Sequence, residues 1–121
     1  MKMPREFEEV QKQDLLKRIK EINSRPSRLV MITGVETPEG FEVLYHFDVK
    51  DALLTLRVKL ARESPSVPTV TGELPGSILY EREIMEMFGI NVEGIPDARK
   101  LFLPEDYSGK PPMLHEEYEK K

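Results

Sequence analysis

The sequence predicts an α+β fold: an N-terminal helix packed on a mainly antiparallel sheet, followed by a second helix and an extended C-terminal segment. Three observations carry this. An amphipathic run opens the chain, two adjoining runs alternate apolar and polar residues with inverted parity, and a second amphipathic run closes on a glycine.

Residues 5 to 22, "REFEEVQKQDLLKRIKEI", place Phe7, Val10, Leu15, Ile19 and Ile22 near one face of a helix with charge around the rest. Pro4 stands where a first helical turn tolerates proline. "SRP" breaks that helix, and the apolar run "LVMITGVE", 29 to 36, reads as a buried strand. "TPEG" is a turn signal. From Phe41 to Val49 the odd positions Phe41, Val43, Tyr45, Phe47 and Val49 share one face, opposite Glu42, His46 and Asp48. The next run reverses parity, with Ala52, Leu54, Leu56, Val58 and Leu60 apolar and Thr55, Arg57 and Lys59 polar, so the two form a hairpin joined at Lys50-Asp51 with one wet face. "RESPSVPTVTGELPGS", 62 to 77, is rich in Pro, Ser and Gly and reads as a loop crossing to a second layer. A second helix then runs from near Pro75 to about Phe88, with Gly89 as its stop. Residues 1 to 106 are expected to form one domain, and 107 to 121 an extended charged tail docked on a partner.

Composition excludes several function classes. At 121 residues the chain supports one core. With no cysteine there is no disulfide, no thiolate zinc site, no cysteine-ligated iron–sulfur cluster and no cysteine nucleophile. The net charge of −4 argues against a broad nucleic-acid surface, and no run approaches the ~18 apolar residues of a membrane span. Membrane contact is therefore expected only through partners. Charged residues make up 33% of the chain while Asn and Gln are scarce, the direction taken by thermophile proteins.

Chemistry-bearing residues crowd into "YEREIMEMFGINVEGIPDARKLFLPED", residues 80 to 106. Glu83 and Glu86 have the spacing of helical metal ligands, but the chain offers only His46, on a polar strand face, and His115, in the tail, to join them. Glu81, Glu83 and Glu86 therefore read as solvated or partner-paired carboxylates. Glu81 and Glu83, two apart on a helix, point to opposing sides and cannot grip one bond together. There is no dinucleotide or Walker phosphate loop and no nucleophile elbow. What remains is a binding surface: Ile78, Leu79, Ile84, Met85, Met87 and Phe88 cover more of the helix than one core-facing stripe requires, and Arg82 and Arg99 offer guanidinium forks, Arg82 also within reach of Glu86. A free-standing carboxylate or metal enzyme, and an independent adaptor, stay open on these residues alone.

The segment also resembles a known family, the 30 kDa subunit of respiratory complex I and its counterparts in membrane-bound nickel–iron hydrogenases and related ferredoxin-linked complexes. That family's signature has the form Glu-Arg-Glu, an apolar and acidic helix turn, Phe-Gly-Ile, a spacer, then Gly-His-Pro-Asp-Leu-Arg-Arg and an apolar patch. Here it reads Glu81-Arg82-Glu83, Phe88-Gly89-Ile90, then Gly94-Ile95-Pro96-Asp97-Ala98-Arg99-Lys100, with "SPSVPTVT" similar to the family's lead-in. Ile95 replaces the histidine, Ala98 the leucine and Lys100 the second arginine, so no role of that histidine carries over. The shortness of the chain resembles compact archaeal members.

The resemblance implies a peripheral subunit on the cytoplasmic side of the membrane with no catalytic, cofactor-binding or metal-binding residues of its own. Iron–sulfur clusters, and a nickel–iron centre in a hydrogenase, would lie in partner subunits. The partners implied are the large subunit, of nickel–iron or quinone-site type, and neighbouring iron–sulfur subunits. Glu81, Arg82, Glu83, Glu86, Phe88, Gly89, Pro96, Asp97 and Arg99 are expected to form the interface or the turn that shapes it.

Overall fold

A computed structural model describes residues 5–50 and 52–96. Its main sheet has four strands: β1 (Arg5–Glu9), β2 (Ser27–Thr37), β3 (Gly40–Val49) and β4 (Ala52–Ala61), in the order β1-β4-β3-β2. The β3–β4 hairpin turns at Lys50, whose φ is 48°, and pairs Phe41 with Leu60, Val43 with Val58, Tyr45 with Leu56 and Phe47 with Leu54. These eight side chains are all buried on one face, as the alternation predicts.

That face is covered by helix α1 (Leu15–Asn23), through Leu15, Ile19 and Ile22, and by helix α2 (Ile78–Phe88), through Ile84. The opposite face carries cross-strand ion pairs, Arg57–Glu42 at 3.6 Å and Lys59–Glu9 at 3.5 Å, around His46. The architecture is two layers with the core between helices and sheet.

Three features depart from the sequence reading. The single helix expected over residues 5 to 22 is a strand, a 3-10 turn at Lys12–Asp14 and a shorter helix. β1 lies parallel to β4, with Phe7 opposite Thr55, and Phe7 stands 63% exposed on the outer face instead of packing in the core. Without β1 the N–H and C=O row on that edge of β4 would lack a partner strand; satisfying it outweighs the weak helical pattern of "REFEE". β2 is likewise no buried strand. It closes the other edge, with a bulge between Leu29 and Met31, and sends only Ile32 and Glu36 fully inward, while Val30, Met31 and Val35 remain exposed. Finally, the expected loop and the signature's spacer hold two short strands, β5 (Ser66–Pro68) and β6 (Asn91–Glu93), paired in parallel. Each places a valine, Val67 or Val92, in the core.

One buried ion pair ties the sheet to the segment that leaves it. The Arg62 guanidinium donates to Glu36 and to the Thr37 carbonyl, and lies 5.4 Å from the centroid of the Phe41 ring.

Candidate functional site

The site is organised by α2. A 3-10 turn, Pro75–Ser77, leads into it, and Gly89 ends it in the left-handed conformation, φ 74°, its N–H donating to the Met85 carbonyl at 3.0 Å. A residue with a β-carbon is disfavoured there, so the glycine stop predicted from sequence has its physical cause.

Glu81 points inward, contrary to its reading as a solvated or partner-paired carboxylate. It is 1% exposed and accepts hydrogen bonds from the Thr69 hydroxyl at 2.6 Å and the Val70 N–H at 2.8 Å. No lysine or arginine among the described residues pairs with it. Burial pushes its pKa above the ordinary carboxylate value, opposed by the bonds from Thr69 and Val70 and by Ser77. The Tyr45 phenol, fully buried and without a hydrogen-bond partner among the described residues, is raised in turn by burial and then by the charge of Glu81. This carboxylate is a clamp: it joins α2 to the chain leaving β5 and fixes where that loop runs.

Two aromatic residues fasten the helix to β2. The Tyr80 hydroxyl donates to the Val30 carbonyl at 3.1 Å, at the strand's bulge. Phe88 lies on the backbone of Gly34 so closely that a β-carbon there would come within 2.8 Å of its ring. Gly34 is thus required by close approach, not by an unusual backbone angle.

The remaining signature residues divide. Glu83 and Leu79 face outward, Leu79 at 54% exposure, Arg82 is half-buried and Glu86 is buried. Pro96 is exposed just beyond Gly94, which turns the chain with φ 81°. Asp97 and Arg99 lie outside the described residues, as do the expected tail, Pro4 and His115. The structure therefore ties Glu81 and Phe88 to the internal scaffold, sets Gly89 as the exposed stop of the helix, leaves Arg82 half-buried and turns Glu83 outward.

Among the described residues no three His, Cys, Asp or Glu side chains converge to hold a metal ion. His46 instead bridges Thr55 through Nδ1 at 2.9 Å and Thr33 through Nε2 at 3.1 Å, and burial lowers its pKa. Each threonine hydroxyl can donate or accept, so a neutral imidazole, donating from one ring nitrogen and accepting at the other, satisfies this cross-strand link.

The description "Respiratory-chain NADH dehydrogenase, 30 Kd subunit" matches residues 7–120. The chain belongs to that family. Among curated members of the 30 kDa subunit family, an NADH-quinone oxidoreductase subunit of Roseiflexus sp. (strain RS-1) is 40% identical over 73 residues, 59% of this chain and 42% of that protein. Its counterpart in Phenylobacterium zucineum (strain HLK1) is 39% identical over 88 residues, 69% of this chain and again 42% of the relative. The chain thus spans less than half the length of these relatives. Of solved structures, the trypsin-resistant fragment of Nqo5 superposes with a TM-score of 0.65 at 25% identity, over 75% of this chain and 80% of that one. A chain of the membrane-bound sulfane sulfur reductase, an archaeal respiratory membrane complex, shares the fold with a TM-score of 0.75 at 21% identity, over 85% and 65%.

Sequence reasoning missed Thr69 and Val70, the hydrogen-bond partners of Glu81. A signal was present: Glu81 lies three residues before Ile84 and four after Ser77, on the stripe that must face the sheet, so a carboxylate there has to find donors inside.

Proposed function

We propose that this chain is a non-catalytic structural and assembly subunit of the cytoplasmic arm of a membrane-bound, ion-translocating oxidoreductase, held to its large subunit and to iron–sulfur subunits. The observation that carries the reading is the family match over residues 7–120 together with the split signature helix, Glu81 locked inside, Arg82 half-buried and Glu83 turned outward. Electron transfer between clusters needs fixed distances, and a rigid element that clamps cluster-bearing neighbours contributes to it without chemistry of its own.

Within the family we favour a hydrogenase that evolves hydrogen from reduced ferredoxin, one of the complexes whose 30 kDa-type subunit the signature from Glu81 to Lys100 resembles. The same role in a sulfane-sulfur reductase or an NADH- or quinone-linked complex is the alternative. The charge-rich, amide-poor composition points to a thermophilic source.

Purification of the native assembly from membranes, with mass spectrometry of co-purifying chains and nickel analysis, tests both levels. A large assembly containing nickel and ferredoxin-dependent hydrogen evolution is expected; a small heterodimer, or the chain alone with stoichiometric metal, overturns the subunit reading. In that assembly Arg82→Ala or Glu83→Lys should release the chain from its large subunit with little change in melting temperature. Equal loss of folding and association would remove their interface role.

A further inference from the structure

Beside α1 the surface holds two adjoining depressions of about 360 and about 480 Å³ that share Leu16, 42% exposed, as their floor. One wall is α1 and the turn before it. The other is the chain from Pro68 to Glu73, together with Glu93 of β6.

That second wall is held from several sides. Glu81 clamps Thr69 and Val70 from within, the Val70 carbonyl accepts from the N–H groups of Glu73 and Leu74 at 3.1 and 2.8 Å, and Asn23 of α1 donates to the Glu73 carbonyl at 3.1 Å. Two ion pairs cross from wall to wall, Lys12–Glu93 at 3.5 Å and Lys20–Glu73 at 3.9 Å. The walls therefore stand no further apart than a lysine and a glutamate can bridge, too close for a helix ~10 Å across. Between the two lysines the helical rise leaves roughly 12 Å, the length of three or four extended residues.

The charge of the groove is not balanced. Its two glutamates are taken up by Lys12 and Lys20, while Lys17, which lines it and also a neighbouring depression with Glu8, Glu9, Asp14 and Glu21, forms no ion pair among the described residues. Gly72 faces open space, with nothing within 4 Å of the position a β-carbon would occupy. An apolar floor, one lysine outside any ion pair and a wall ordered in advance are what an acidic, extended ligand needs, since prior order removes part of the entropy cost of binding.

We propose that this groove takes an extended segment of a neighbouring subunit, with one large apolar side chain seated on Leu16 and a carboxylate beside it paired with Lys17. The inference rests on the subunit reading above and adds a second contact, distinct from the outer face of α2. It is tested in the full chain within the native assembly, with a photo-crosslinking benzoylphenylalanine introduced at position 16 and the variants Lys17→Glu and Gly72→Leu, the latter filling the groove.

The expected crosslink joins position 16 to a peptide of another subunit in which an apolar residue neighbours Asp or Glu. Both variants should lower the yield of assembled complex about tenfold, while the melting temperature of the free chain, for exposed substitutions, stays within about 2 °C. Changing the partner's crosslinked carboxylate to lysine should restore assembly with Lys17→Glu. Unchanged assembly with both variants, or crosslinks confined to residues 97–121 of this same chain, overturns the groove. If Arg82→Ala or Glu83→Lys releases the chain while Lys17→Glu and Gly72→Leu do not, the groove fails and the subunit reading stands; if the wild-type chain is absent from any membrane assembly, the subunit reading itself fails.

Discussion

Replacing Glu81 separates a clamp from a mere buried charge. Glu81→Ala removes the acceptor of two short hydrogen bonds, from the Thr69 hydroxyl at 2.6 Å and the Val70 N–H at 2.8 Å. Thr69 keeps Thr71 as a partner at 3.0 Å, so the buried amide of Val70 is the group left bare. Losing a charge-assisted bond and stranding that amide, offset by relief of the carboxylate's own desolvation, should cost about 2–4 kcal/mol. At roughly 4 °C per kcal/mol for a domain of this size, the melting temperature should fall by about 8–16 °C. Glu81→Gln keeps an oxygen for Val70 and sheds the charge, and should stay within about 1 kcal/mol at neutral pH.

The pH dependence supplies a second readout. Burial holds the pKa of folded Glu81 above the ordinary value of 4.5, so the folded state binds this proton more tightly than the unfolded chain. Its contribution is therefore fully present below the unfolded pKa and is lost as pH rises through the higher folded one. The glutamine variant lacks this slope, and urea denaturation should show the parent losing ground to it as pH rises above 4.5. An alanine variant melting within about 2 °C of the parent, or a glutamine variant whose stability runs parallel to the parent across that range, refutes the clamp.

Other outcomes follow from single contacts. Gly34→Ala drives a β-carbon to within 2.8 Å of the Phe88 ring and should cost about 1–3 kcal/mol by denaturation, a loss that Phe88→Leu in the same chain should partly reverse. Gly89→Ala, at φ 74°, should cost about 1 kcal/mol, and Gly89→Asn less. Tyr45→Phe removes a buried hydroxyl that has no partner among the described residues and should leave stability unchanged or raise it by up to about 1 kcal/mol. Burial lowers the pKa of His46 below 6.5, so its contribution is present above that value and is lost as pH falls through the folded pKa; His46→Gln should flatten the acid limb of the stability profile below pH 6.5.

The sheet's centre was legible because its signal is local: inverted parity across Lys50 forces Phe41 to Phe47 and Leu54 to Leu60 onto one face, and no other pairing buries them together. The end of α2 was legible for the same kind of reason, a glycine placed where a left-handed residue is needed. What failed was decided by distant partners. Residues 5 to 9 carry a helical pattern, yet β4 needs a neighbour on its edge, and that demand arises some fifty residues away, as the pairing of Arg5 with Leu53 shows. β5 and β6 are three residues each and pair across an intervening helix, which no window of sequence reports. At the site, the positions of Glu81, Phe88 and Gly89 along the motif were visible, but not their direction, because inward and outward roles depend on where Thr69 and Gly34 come to rest.

That direction gives the Glu-Arg-Glu motif a physical meaning. Two glutamates two apart on a helix cannot share a side, so burying Glu81 obliges Glu83 to face outward. A carboxylate buried without a cation is a costly means of holding a loop, tolerable only where its donors are already fixed, as the hydroxyl of Thr69 and the amide of Val70 are by β5 pairing with β6. The result is a helix tied at its first turn by Tyr80 to β2, at Glu81 to the β5 loop and at its last turn by Phe88 to Gly34. Attachment at three points along eleven residues leaves α2 little freedom to lose in the proposed docking of Arg82 and Glu83 on a partner. Loosening any one of the three should then weaken association through disorder of the helix even where no contacting residue is changed, and amide exchange along α2 would reveal it before the complex dissociates.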